Sequence, residues 1–196
     1  MTTAILEAPE ALEFPEETLR PLEPGPGFEF VDGALKELNV SKLSSFIAGE
    51  CHGFLREYVR PRGLGWVFPE GASYRCFPDD PTRVRRADTA FHVLSRLTNA
   101  DLRAEGHNSV CPDLVVEVVS PNDSADEVNI KRIEWQQAGA TLVWVIHPTA
   151  QTVHAYCSDG SVRLFTAAGS LTAEPLLHEF CLPMAELFRL PTAAGA

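Results

Sequence analysis

Two almost unbroken apolar runs dominate the chain: PDLVVEVVSP at residues 112–121 and TLVWVIHP at 141–148. Runs this continuous predict strands covered on both faces, over 112–119 and 141–146. Between them Ser124 and Glu127 have the spacing of a capping box. A helix is expected over about 125–138, with Gly139 as its natural stop. Strand, helix and strand in this order predict a βαβ unit at about 112–147, with parallel strands and a right-handed crossover.

The pattern elsewhere is more broken. FEFVDGALKEL at 28–38 reads as a hairpin with a D-G turn. Residues 41–58 place Leu43, Phe46, Ile47, Phe54, Leu55 and Tyr58 at helical spacing, and Pro61 and Gly63 end the helix. One or two strands are expected over 65–77, then a turn at FPDDPT. A strand over 84–93 carries Asp88, and 95–106 is a short helix or loop. TVHAYCSDGSVRLF at 152–165 is a second D-G hairpin. LLHEFCLPMAELF at 176–188 gives a short strand and a closing helix. There are no internal repeats. The expected class is α/β (α+β): a mixed sheet flanked by two main helices, in a single domain over 28–190. Residues 1–27 hold five of the fifteen prolines and form an acidic, Pro-rich arm.

Composition narrows the function. No apolar run approaches the roughly 18 residues of a membrane span. The first residues lack the basic start and apolar stretch of a secretory signal. Five cysteines, odd in number and without a CxxC pair, read as reduced thiols of a cytoplasmic protein. The net charge of −11 argues against a protein that coats DNA. Six Glu against one Arg in residues 1–24 supply −5 of it. The remaining body, with its modest negative charge, can carry a local basic groove. Arg83, Arg85 and Arg86 form one basic cluster and Arg56, Arg60 and Arg62 another, each open to a second reading as a solvated surface.

The chemistry concentrates around the first apolar run. A carboxylate inside a buried strand is costly unless a cation compensates it. Asp113 and Glu117 share one face of that strand, but at about 3.3 Å per residue their Cα atoms lie about 13 Å apart. They cannot share one ion. Asp88, from the neighbouring strand, is the better partner for Glu117, and two such carboxylates suit Mg²⁺ or Mn²⁺. Asp113 then reads as a strand-entry residue or a cap after Pro112. On the helix, Val128, Lys131, Trp135 and Ala138 form one stripe, so a lysine sits in the face that must pack on the sheet. Either its stem snorkels, or its ammonium stands over Glu117 to stabilise a developing anion. Glu50, on the first long helix, could reach a metal from outside or could face solvent. The six histidines show no metal-binding spacing, Ser120 lacks a GxSxG elbow, and no glycine-rich phosphate loop is present.

Together FEFVDGAL, VRRADTAF, CPDLVVEVVSPND with Lys131 downstream, QQAGATLVWVIHP and FCLPMAELF resemble the Uma-type family of restriction-endonuclease-like proteins, relatives of the PD-(D/E)xK nucleases. The resemblance runs from about residue 28 to 188. It implies a restriction-endonuclease-like sheet flanked by helices, a DNA endonuclease activity dependent on Mg²⁺ or Mn²⁺, and a homodimer. It places Asp88 as the first acid and Glu117 as the second, both as metal ligands, with Lys131 as the catalytic lysine moved onto the helix. Two places after Glu117, where the wider superfamily has lysine, this chain has Val119. Ala87 stands where the family usually has proline and Ser41 near the place of a frequent histidine. The alternative is a catalytically weak or inactive nucleic-acid-binding or regulatory homodimer on the same fold.

Overall fold

The computed structural model describes residues 24–38 and 40–192. The arm expected over 1–27 therefore lies outside the described residues except for 24–27, of which Pro24 is buried against the body. There the carbonyls of Pro24 and Gly25 both accept from Arg86 Nη2.

The chain opens with β1 (Phe28–Val31) and β2 (Ala34–Glu37), paired antiparallel in the expected hairpin. Asp32 and Gly33 both take positive φ, 51° and 77°, as the two-residue turn requires. α1 (Lys42–Val59) follows, capped by Ser41, whose side chain accepts from the Ser44 backbone N–H. Its buried face, including Ile47, Cys51, Leu55 and Val59, packs on the main sheet.

That sheet is built from β3 (Gly65–Pro69), β6 (Thr89–Val93), β7 (Leu114–Val118), β8 (Leu142–His147), β9 (Thr152–Cys157) and β10 (Val162–Phe165). Their spatial order is β10-β9-β8-β7-β6-β3. Only β7 and β8 are parallel, joined by α2 (Ala125–Gln137), so the expected βαβ unit is present. The Ser124–Glu127 capping box starts α2, and Gly139 follows it with φ 106°. The sheet is mixed and separates two cores. Leu114, Val116, Leu142, Trp144 and Ile146 face α1, whereas Val115, Val143, Val145 and Trp135 pack on the α2 side. Burying each such side chain stabilises the fold by about 1.5–3 kcal/mol. Alternation along β7 puts Glu117 on Val115's side, under α2.

Two expectations change. The strand expected over 84–93 is broken. β5 (Arg85–Arg86) leaves the main sheet to pair with β4 (Ser73–Tyr74), and the main ladder resumes at Thr89. Asp88 sits at the bend, where its backbone N–H still donates to Val116 O. The strand near the C-terminus is not solitary either: β12 (Leu177–Pro183) pairs with β11 (Ser170–Ala173), which the apolar pattern did not mark. α3 (Met184–Leu187) closes the chain as expected, and residues 94–96 and 101–103 form short 3-10 turns.

Candidate active site

The bend at Asp88, the end of β7 and the middle of α2 meet at one place. Asp88 Oδ2 accepts the backbone N–H of Val118 at 2.6 Å, which ties it to the strand that carries Glu117. Lys131 reaches down from α2, its Nζ 2.9 Å from Glu117 Oε2. One turn further along the helix, Trp135 Nε1 donates to Glu117 Oε1 at 2.7 Å. Both oxygens of Glu117 are thus gripped from the same helix. Lys131 does not snorkel outward: its side chain is 17% exposed and stands over the acid pair.

Burial decides the electrostatics. It pushes the carboxyl of Asp88 up to about 6, against the opposing pull of Lys131. It pushes Glu117 up to about 8, again against Lys131, with the charge of Asp88 adding to the rise. Burial works to lower the Lys131 pKa, but the acids around it, Glu117 first, override this and drive it above its usual value. The lysine is therefore a permanent cation. Two desolvated carboxylates that repel each other form a hard-oxygen donor pair. Mg²⁺ is bound by one or two carboxylates and keeps several waters, so the pair fits such an ion. Among the described residues no group of three or more His, Cys, Asp or Glu forms a fuller metal cage.

The site opens into a cleft of about 630 Å³ between the β1–β2 hairpin, the end of β7 and the first turns of α2. Asp88, Glu117 and Lys131 all line it. Lys36 on β2 bridges to Glu127 on α2 at 2.5 Å and holds the hairpin across the rim.

The remaining candidates fall elsewhere. Asp113 lies at the far end of β7, where its oxygens accept from the Val93 backbone at 2.8 Å and from Arg96 Nη1 at 2.7 Å. It fastens a strand end. Glu50 sits half-buried on α1, outside the residues lining the cleft. The basic triplet needs correcting. Whether as groove or as solvated surface, it should meet solvent, yet Arg83, Arg85 and Arg86 are all buried. Arg83 pairs with Asp79 at 2.8 Å, Arg85 with Glu29 and Glu134, and Arg86 donates to the carbonyls of Phe28 and Gly71. Buried guanidiniums keep their charge by taking protein acceptors, so this triplet is turned inward and does not face a polyanion at the surface.

The sequence reading missed Glu29 and Glu134. Glu29 is 1% exposed and Glu134 is also buried. Glu134 carried a signal in retrospect: it stands next to Trp135 on a helix that must pack. Glu29 carried none, because it lies between two phenylalanines in a strand.

The family described as "Uma2: Putative restriction endonuclease" matches residues 11–185. Among curated proteins none matches the chain. Among solved structures, the chain is similar to one described as a "putative nuclease belonging to DUF820" from Anabaena variabilis, with a TM-score of 0.74 and 22% identity. The likeness covers 88% of this chain and 96% of that one. At that identity it speaks for the fold, which is restriction-endonuclease-like. With its family matched over nearly the whole length and its sheet matched in space, the chain belongs to the Uma2 family.

Proposed function

We propose that the protein is a metal-dependent endonuclease that hydrolyses phosphodiester bonds in DNA. The observation that carries this reading is the meeting of Asp88, Glu117 and Lys131 at the floor of one cleft. Asp88 and Glu117 would hold Mg²⁺ or Mn²⁺, which when bound acts as a Lewis acid on the phosphate and makes a bound water more acidic. The chain's own residues do the rest. Trp135 fixes the plane of the Glu117 carboxylate. Lys131 brings a permanent positive charge to the place where negative charge grows on the phosphate oxygens. The buried floor excludes water and strengthens both effects.

Purified protein with Mg²⁺ or Mn²⁺ is expected to cut supercoiled plasmid or single-stranded DNA. Glu117→Gln and Lys131→Ala should each be slower by about 100-fold or more. Lys131→Ala should still bind Mn²⁺ by calorimetry. If the wild type cuts neither substrate with either ion, the proposal is wrong.

One observation favours a second reading, a regulatory or nucleic-acid-binding homodimer without turnover. Lys131 is clamped between two acids and the basic triplet is buried. Retention of DNA in a low-salt gel shift, without any cleavage, would select it. Under either reading we take the protein to be a homodimer, which light scattering reads directly. Its five free cysteines support a cytoplasmic setting.

A further inference from the structure

We propose that Glu29 is a positioning residue for the reaction, holding the Lys131 ammonium over Asp88 and Glu117 through a closed ring of charges. The inference rests on the nuclease reading of the same site. Lys131 Nζ lies 3.1 Å from Glu29 Oε1, almost as close as it lies to Glu117. Glu29 is held in turn. Its Oε1 accepts the backbone N–H of Arg86 at 2.8 Å, and its Oε2 accepts Arg85 Nη1 at 2.8 Å. Arg85 then donates through Nε to Glu134 Oε2 at 2.7 Å. Glu134 stands three residues after Lys131 on α2, so the helix itself closes the ring. Charges alternate around it: Lys131, Glu29, Arg85, Glu134.

The arrangement answers a need of the site. A lysine stem has four rotatable carbons and no preferred fork, so a second anchor is required to fix its head. Glu117 cannot be that anchor once its charge is committed to a cation, because the same oxygens would face both. Glu29 can. Its oxygens accept from two cationic side chains and a backbone N–H, whereas Glu117 meets one cation and an indole N–H. The charge of Glu29 is thus matched inside the protein, which suits it to position the lysine.

The test uses the full chain, with Glu29→Gln, Glu29→Asp, Lys131→Ala and the double variant Glu29→Gln/Lys131→Ala. On plasmid with Mn²⁺, Glu29→Gln should lower kcat by about 10–100-fold while KM and Mn²⁺ affinity stay near wild type. The double variant should be no slower than Lys131→Ala alone, because Glu29 acts only through the lysine. A second readout needs neither metal nor DNA. The chain has three lysines, Lys36, Lys42 and Lys131. Acylation by acetic anhydride, followed by peptide mass spectrometry, should label Lys131 about tenfold faster in Glu29→Gln than in wild type. Exposed Lys42 serves as the unchanged reference. If Glu29→Gln fails to fold, Glu29→Asp keeps the charge facing Arg85 but falls short of Lys131, and should show the same two changes. Wild-type labelling of Lys131 in the folded variants, or a double variant slowed by the product of the single effects, overturns the proposal. If the wild type cuts nothing, the nuclease reading fails by itself, and the labelling still decides whether Glu29 holds Lys131.

Discussion

Glu117 is tightly constrained, with both oxygens bonded and little solvent nearby. Asp113 makes a useful contrast. It lies one residue before the same strand, on the same face, and is also buried, but an arginine and a backbone N–H at the strand end satisfy it. The indole of Trp135 is the cheapest part of the Glu117 environment to remove. Trp135→Phe keeps most of the packing and deletes the N–H donor. We expect Mn²⁺ affinity to fall about tenfold, read by calorimetry at a temperature where the variant is folded. Lys131 stood out in the sequence because a charge interrupts an apolar helical stripe, although a snorkelling stem fitted that pattern as well. Glu29 was not legible. In FEF the alternation rule turns both phenylalanines inward and the glutamate outward, yet Phe28 is 38% exposed and Glu29 is buried. The rule assumes that the inner face is greasy. Here the face of β1 turned toward α2 meets Arg85 and Lys131, so charge complementarity sets its orientation.

Among the elements, β7, α2 and β8 were readable because each carries its own signal: two apolar runs, a capping box and a stopping glycine. The break between β5 and β6 was not, since nothing local says that Arg85 and Arg86 pair with a different strand. β11 was missed because a four-residue strand with two inward positions leaves almost no period to detect. Glycines separate elements that are tight from those that are free. A Cβ on Gly65 in β3 would lie 1.9 Å from the carbonyl oxygen of His92 and 2.7 Å from the ring of Phe91. Gly65→Ala should therefore cost roughly 1–3 kcal/mol as the β3–β6 pair is pushed apart. Gly49 on α1 is exposed, with nothing within 4 Å of the same position. Gly49→Ala should gain about 0.5–1 kcal/mol from helix propensity alone. Urea unfolding of the two variants should move in opposite directions, and shifts of equal sign would contradict the packing described for β3.

Across the whole molecule, the site should be visible in the dependence of stability on pH. The folded pKa of Glu117 is raised from 4.5 to about 8, so near neutrality the folded state holds a proton that the unfolded state has released. Stability then falls as pH rises toward and through 8. Asp88 acts the same way, but only below about 6. His92, lowered to about 4 by burial, acts with the opposite sign; its contribution fades above its unfolded value and is shared by any Glu117 variant. Between about pH 7 and pH 9 the metal-free wild type should lose roughly 1 kcal/mol relative to Glu117→Gln. Parallel urea titrations check this, and equal slopes would mean that Glu117 is not held in the way described. The charge ring has a consequence of another kind, for the order in which the molecule is made. In the sequence Lys131 follows Glu29 by 102 positions. A chain leaving the ribosome thus exposes its first hairpin long before the helix that completes the ring has been synthesised. Under the nuclease reading, a half-made chain holds acids without their lysine and cannot cut, so the activity is born only with the finished domain.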